Sequence, residues 1–218
     1  IKSSTILNKG YSDGHTIKFE HHANQANEVK KYTVGLTFAN KTYTPALQGG
    51  TTSYPAGELT KTITKDENWI TSDGLNHTTE EFKNKSGQVI LKRTYNNSQK
   101  HDTYYIYDDY GNLSYVLPPK AEPDTTVPTQ TVLDELCYQY VYDHRNRLIH
   151  KKIPGKGWEY IVYNKLDQPI LTQDAIQRAN GKWLFTKYDA FGRVAYSGKY
   201  TNNSFRHQVQ NSADLVTD

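Results

Sequence analysis

The 218 residues carry 26 Lys and Arg against 23 Asp and Glu, a formal charge of +3, so neither a nucleic-acid partner nor an acidic substrate is implied. Hydrophobic content of 35% is lean for a thick core, and 18 tyrosines offset part of the shortfall, because an amphipathic ring covers a sheet face while its hydroxyl stays wet. The single cysteine, Cys137, excludes an internal disulfide, and no apolar run approaches the roughly 18 residues that span a membrane.

With no methionine and no targeting segment, the chain reads as a fragment or processed product of a longer one. In residues 1–53, HTIKFE and KYTVGLTF alternate as strands do, the polar HHANQANEVKK between them suits a loop, and QGGTTSYPAG marks turns. These are expected to be leading strands continuous with a later sheet, the alternative being a small separate β region. ELTKTIT then reads as a strand and TSDG, residues 71–74, as a turn. The organising stretch is residues 104–117, YYIYDDYGNLSYVL: Tyr105 and Tyr107 share one parity, Tyr104 and Ile106 the other, and Leu113, Tyr115 and Leu117 resume the alternation after a polar turn. This is a β-hairpin unit.

The unit recurs. YDHRNRL starts at Tyr142, YNKLDQPI at Tyr163 and YDAFGRV at Tyr188, and a weaker copy, FKNKSGQVIL, starts at Phe82 with one extra residue before its glycine. The one long interval is filled by PPKAEPDTTVPTQT, residues 118–131. Asp108, Asp143, Asn164 and Asp189 stand where a short side-chain oxygen accepts from amides further round the turn, and Asn164 there points to hydrogen-bond geometry rather than charge. Gly87, Gly111 and Gly192 mark a position that needs positive φ, taken in the other copies by Asn146 and Asp167. Leu148 and Val194 follow their turns as Leu113 does. The one helix expected is short: Thr131 as N-cap with Asp134, and Val132, Leu133 and Leu136 on one side. Residues 201–218 read as a polar tail.

The form Tyr-Asp-x-x-Gly-Asn/Arg-Leu resembles the YD repeats of RHS-repeat proteins, a class that includes the teneurins and the cocoon-forming subunits of insecticidal toxin complexes. YPAGELT, DDYGNLSYVLPP and YDHRNRLIHKKIPGKGWEYIVYNKLDQP are similar to stretches of secreted RHS proteins of the Bacteroidota, and the resemblance covers residues 54–200. It implies an all-β fold of repeated antiparallel hairpins, forming a curved, twisted sheet within a larger hollow shell that encloses a C-terminal toxic segment. It also implies an extracellular or cell-surface location, with the rest of a longer chain or neighbouring β edges as partners. No match to the self-cleaving core of relatives is found, and no toxin domain is visible.

Candidate chemistry is sparse, and no cofactor or metal is expected. His21 and His22 lack a cysteine or carboxylate at zinc spacing. Asp108 with Asp109, or Asp143 with His144, would make an acid–base pair only outside a turn and with a third, orienting group. Cys137 reads as a small strand residue. The basic run 144–156, HRNRLIHKKIPGK, alternates as a solvated hairpin face does rather than as a phosphate site. Trp158 and Trp183 are the candidates for stacking on a sugar ring, against core packing. Six Asn-x-Ser/Thr sequons, at Asn40, Asn76, Asn84, Asn96, Asn112 and Asn202, carry little weight. A non-enzymatic shell segment is therefore the expected function, and an adhesion or carbohydrate-binding module the alternative.

Overall fold

The computed structural model describes residues 16–215; the rest of the expected polar tail, residues 216–218, and the start of the leading region lie outside the described residues. Fourteen strands form one antiparallel sheet. They are β1 (Lys18–Ala23), β2 (Lys30–Ala39), β3 (Thr42–Ser53), β4 (Thr60–Lys65), β5 (Thr78–Lys83), β6 (Val89–Asn96), β7 (Gln99–Tyr107), β8 (Leu113–Leu117), β9 (Tyr138–Asp143), β10 (Leu148–Ile153), β11 (Gly157–Tyr163), β12 (Pro169–Gln173), β13 (Lys182–Tyr188) and β14 (Val194–Thr201). Neighbours run β1-β4-β5 and then in chain order to β14, and the sheet does not close: among the described residues β1 and β14 each pair on one side only.

Alternation decides the two faces. Lys61, Phe82, Leu91, Tyr104 and Leu117 lie opposite one another across five strands, a row with its four apolar members buried. Tyr104 and Ile106 are buried while Tyr105 and Tyr107 are only half-buried, so the two parities of residues 104–107 separate as expected. One register step away stands a row of charge, Glu80, Arg93 and Asp102. Arg93 chelates Asp102 at 2.7 and 2.8 Å, and Lys61 bridges Glu28 and Glu80 at 2.8 and 2.9 Å. Burial works against the Arg93 cation, but the Asp102 carboxylate outweighs it and raises the guanidinium pKa.

The leading region does two things. β1 joins the sheet through β4, whereas β2 and β3 depart from the main strand path between Asn24 and Leu59, rejoin it where Thr42 and Tyr43 pair with β9, and fold over the face, adding Val29, Tyr32 and Val34 to the core of Phe82, Leu91 and Tyr104. Asn40 and Lys41, with φ of 49° and 59°, make the tight turn between them. Tyrosine hydroxyls pin the cover down: Tyr32 donates to the Pro123 carbonyl at 2.6 Å, Tyr115 to Pro45 at 2.9 Å, and Tyr104 accepts from the Lys30 amide and donates to Asp124.

The insertion after β8 covers the same face, through Ala121, Leu133 and Cys137. Its helix, α1 (Gln130–Leu136), starts two residues earlier than expected: Thr129, not Thr131, is the N-cap and accepts from the Val132 amide. Two further helices were not expected from the sequence. α2 (Ala175–Ala179) is closed by a reciprocal Asp174–Gln177 capping box. α3 (Arg206–Leu215) occupies the stretch read as polar tail; it lays Val209 and Ala213 on Val162 and Trp183, a second, smaller core.

Candidate functional site

Five hairpin turns follow β5, β7, β9, β11 and β13 and therefore line one rim of the sheet. In each, the Asx amide donates to the carbonyl four residues on, at 2.8–3.0 Å for Asn84, Asp108, Asp143, Asn164 and Asp189. Its carbonyl accepts from the residue three on: Gly87, Gly111, Asn146, Asp167 and Gly192, all at positive φ from 57° to 82°. The Asx oxygen Oδ1 takes the amides two and four residues on, at 2.8–3.0 Å in every copy. This is a short turn closed by a left-handed residue and a bulge, and the register shifts there in all five hairpins.

The copy at Phe82 has no extra residue. Asn84 is its Asx and Gly87 follows by three, so Lys83, not Phe82, stands in the tyrosine place, opposite Val89 as Tyr107 is opposite Leu113. Phe82 matches Ile106, the buried residue before the tyrosine. A split relative of the turn joins β1 to β4: the Asn24 amide donates to the Leu59 carbonyl and Asn24 Oδ1 accepts from the Leu59 amide at 2.8 Å, 35 residues away.

Two positions of the motif, the residue four after the Asx and the tyrosine, make contacts that the sequence did not show. The residue four after the Asx bonds back to it, and its type follows the Asx type: Asn84 with Gln88 and Asn164 with Gln168 at 2.7 Å, Asp143 with Arg147 at 2.7 Å, Asp189 with Arg193 at 2.8 Å, Asp108 with Asn112 at 3.2 Å. An amide donor faces an amide acceptor and a carboxylate faces a donor. The motif tyrosine ties each of the last three hairpins to the one before. Tyr142 donates to the Leu113 carbonyl at 3.0 Å, Tyr163 to Leu148 at 2.7 Å and Tyr188 to Pro169 at 3.0 Å, the acceptor each time opening the previous unit's return strand.

Other candidates are held in packing or ion pairs. Both oxygens of Asp108 and of Asp143 are engaged inside their turns, and no third group orients Asp109 or His144 beside them. Cys137 is buried, and burial pushes its thiol up to about 11. His22 meets Glu20 at 3.3 Å and His21 meets Thr62 at 3.4 Å; among the described residues no group of three or more His, Cys, Asp and Glu is placed to hold a metal. In the basic run, Arg145 and Arg147 reach Asp167, Lys151 and Lys156 reach Glu159, and Lys152 reaches Asp134. Trp183 is 1% exposed, which removes it as a stacking platform, and its indole donates to the Asn202 carbonyl at 3.2 Å. Trp158 is half-buried, beside His150 and with the Lys152 ammonium 5.6 Å from its ring centre.

Under α2 and α3 sits an uncompensated set. Arg206 is buried, donates to the Ile161 carbonyl at 3.0 Å and has no ion pair among the described residues, and burial first of all draws its pKa down to about 10. His150 has a buried Nε2 without a partner, and burial followed by the Arg206 and Arg178 charges holds its pKa down at about 3.

No protein-family model matches the chain, and no curated protein matches it. Solved structures are similar to it: a crystal structure of TcdB2-TccC3 without the hypervariable C-terminal region (TM-score 0.49, 15% identity, 71% of this chain and 8% of that one) and one of TcdB2-TccC3-TEV (0.47, 16%, 71% and 8%). A third is a Photorhabdus luminescens Tc holotoxin pore with a substitution in TccC3 (TM-score 0.48, 14% identity, 91% of this chain and 13% of that one). The chain thus spans 8% to 13% of the length of the chains it matches.

Proposed function

We propose that the chain is a non-enzymatic wall segment of a larger RHS-type shell that encloses or presents a C-terminal toxin or effector, outside the cell or at its surface. One observation carries the reading: the motif side chains close turns and tie hairpin to neighbouring hairpin, while among the described residues both outer strands keep one edge unpaired. A module built this way extends by adding hairpins, and a wall of added hairpins works by excluding what lies outside it. The test is a cryo-electron microscopy reconstruction of a full-length protein that contains this sequence. The expected result is weak internal density behind a wall in which β14 pairs with a further strand; an open sheet with β14 in solvent sinks the container reading.

An adhesion or sugar-binding module is the second reading, favoured by a cleft of about 430 Å³ on the rim opposite the motif turns. Thr64, Thr79 and Thr94, aligned across three strands, line it with Asp66, Asn76 and His77, groups suited to hydroxyl-rich ligands. It requires glycan affinity in the chain alone, lost in Thr94→Val.

A further inference from the structure

We propose that the free edge of β14, with the Arg193 guanidinium, is a recognition surface for a β-hairpin that ends in a Tyr–Asx turn and bears an aspartate at the turn's left-handed position. The inference rests on the wall reading and specifies which hairpin the edge accepts.

Joins within the sheet supply the pattern. Besides strand pairing, the four joins carry two kinds of side-chain contact, each kind at three of them. One is the tyrosine hydroxyl of the later hairpin on a carbonyl of the earlier, made by Tyr142, Tyr163 and Tyr188. The other runs from the residue four after the earlier Asx to the later turn's left-handed residue. Gln88 Nε2 donates to the Gly111 carbonyl at 3.3 Å, Asn112 Nδ2 to Asn146 Oδ1 at 3.3 Å, and Arg147 NH1 to Asp167 Oδ1 at 2.8 Å. The pairing is chemically matched: a neutral amide meets a backbone or amide oxygen, and a guanidinium meets a carboxylate.

Beyond the last turn no later hairpin among the described residues meets the same two groups, and the Arg193 guanidinium lies over the Phe191 ring of its own turn, 5.2 Å from the ring centre. Val194, which opens β14, holds the place of Leu113, Leu148 and Pro169. Arg193 holds the place of Arg147. Asp189 grips Arg193 through Nε and NH2 at 2.8 Å, as Asp143 grips Arg147 through the same atoms at 2.7 Å, so the fork is fixed with its remaining nitrogen outward. That nitrogen has no partner among the described residues, and the side chain is 74% exposed. By the internal rule, the occupant is the aspartate type.

The β1 edge of a second copy fits poorly. The other free edge, β1, runs into Asn24 with Ala23 where the tyrosine belongs, and the left-handed residues of that turn, Asn27 and Gly57, carry no carboxylate. The hairpin that does match is the chain's own residues 160–173, which presents Tyr163, Asn164 and Asp167 to Arg147.

A peptide of residues 160–173, closed into a ring through a d-prolyl-glycine turn so that its hairpin is preformed, is titrated into the isotopically labelled 218-residue chain and followed by amide shifts and exchange. Protection of the β14 amides is expected, with the parent peptide binding about three times more tightly than its Asp167→Asn version, the scale of an exposed ion pair. In the Arg193→Asn chain that ratio is expected to fall to about one. A ratio unchanged by Arg193→Asn overturns the inference while leaving edge extension standing; no protection of β14 by any of the peptides overturns both.

Discussion

At Tyr163 one hydroxyl joins two hairpins through a part-buried 2.7 Å bond to the Leu148 carbonyl. Tyr163→Phe leaves that carbonyl without its donor and is expected to cost about 1 kcal/mol in urea unfolding, whereas Tyr188→Phe, whose bond to Pro169 is exposed, costs less than about half of that. His150 offers a second test. Its folded pKa of about 3 lies below the ordinary value, so the unfolded chain takes up a proton near pH 6.5 that the folded chain refuses. Stability is full above pH 6.5 and falls as pH drops from there towards 3, by about 1.5 kcal/mol between 6.5 and 5. Paired carboxylates such as Glu28 and Asp124 act only below about pH 5, so they stay out of that window. His150→Phe, which keeps a ring against Tyr160, is expected to flatten the slope. What could be read at this scale was local geometry: Asn146 and Asp167 share positive φ with Gly111 because short polar side chains tolerate that region. The tyrosine's acceptor could not be read, since it lies 15 residues back for Tyr163 and 29 for Tyr142.

At the scale of elements, hairpins were legible because period-2 alternation and an Asx turn are both local signals, and α1 through its cap, while α2 and α3 were not. α3 has only Val209 and Ala213 as its apolar stripe, too short a pattern to separate from a polar tail, and its docking rests instead on Gln210. The bulge at Tyr163 leaves that residue's amide and carbonyl facing α3, and Gln210 takes both, at 3.0 and 2.8 Å, like a single residue of a missing strand. Gln210→Ala strands two backbone groups and is expected to cost about 2 kcal/mol, seen first as faster amide exchange across residues 206–215. The Phe82 copy was placed one residue off for a related reason. Its aromatic belongs to the buried row with Ile106, and the lysine in the tyrosine place hides the true register. The β2–β3 cover likewise depends on a contact invisible in sequence: Gly50, at φ 84°, lies against the Tyr32 ring, and a β-carbon there would run into it. Gly50→Ala is expected to unseat that hairpin at a cost of about 2 kcal/mol or more.

For the molecule as a whole, the consequence of one open sheet is that its two ends behave differently. The five hairpins from Phe82 onward could be inferred as repeats of one unit, but the fold-over of β2 and β3 could not, because these strands alternate as the others do and only tertiary packing separates them. At the β1 end, Lys18, His22 and Glu20 place charge along the strand, and charge on an edge discourages further pairing. At the β14 end, Val194, Tyr196 and Tyr200 are exposed at 63%, 55% and 45%, an apolar edge with no cover among the described residues. Antiparallel strands of two copies can pair edge to edge, so the isolated chain is expected to self-associate weakly through β14. Sedimentation velocity should show mass rising with concentration, and Tyr196→Lys combined with Tyr200→Lys should suppress it without changing the far-ultraviolet circular dichroism. Association that survives those substitutions would move the sticky edge elsewhere and remove the physical reason for reading β14 as the growing end of a wall.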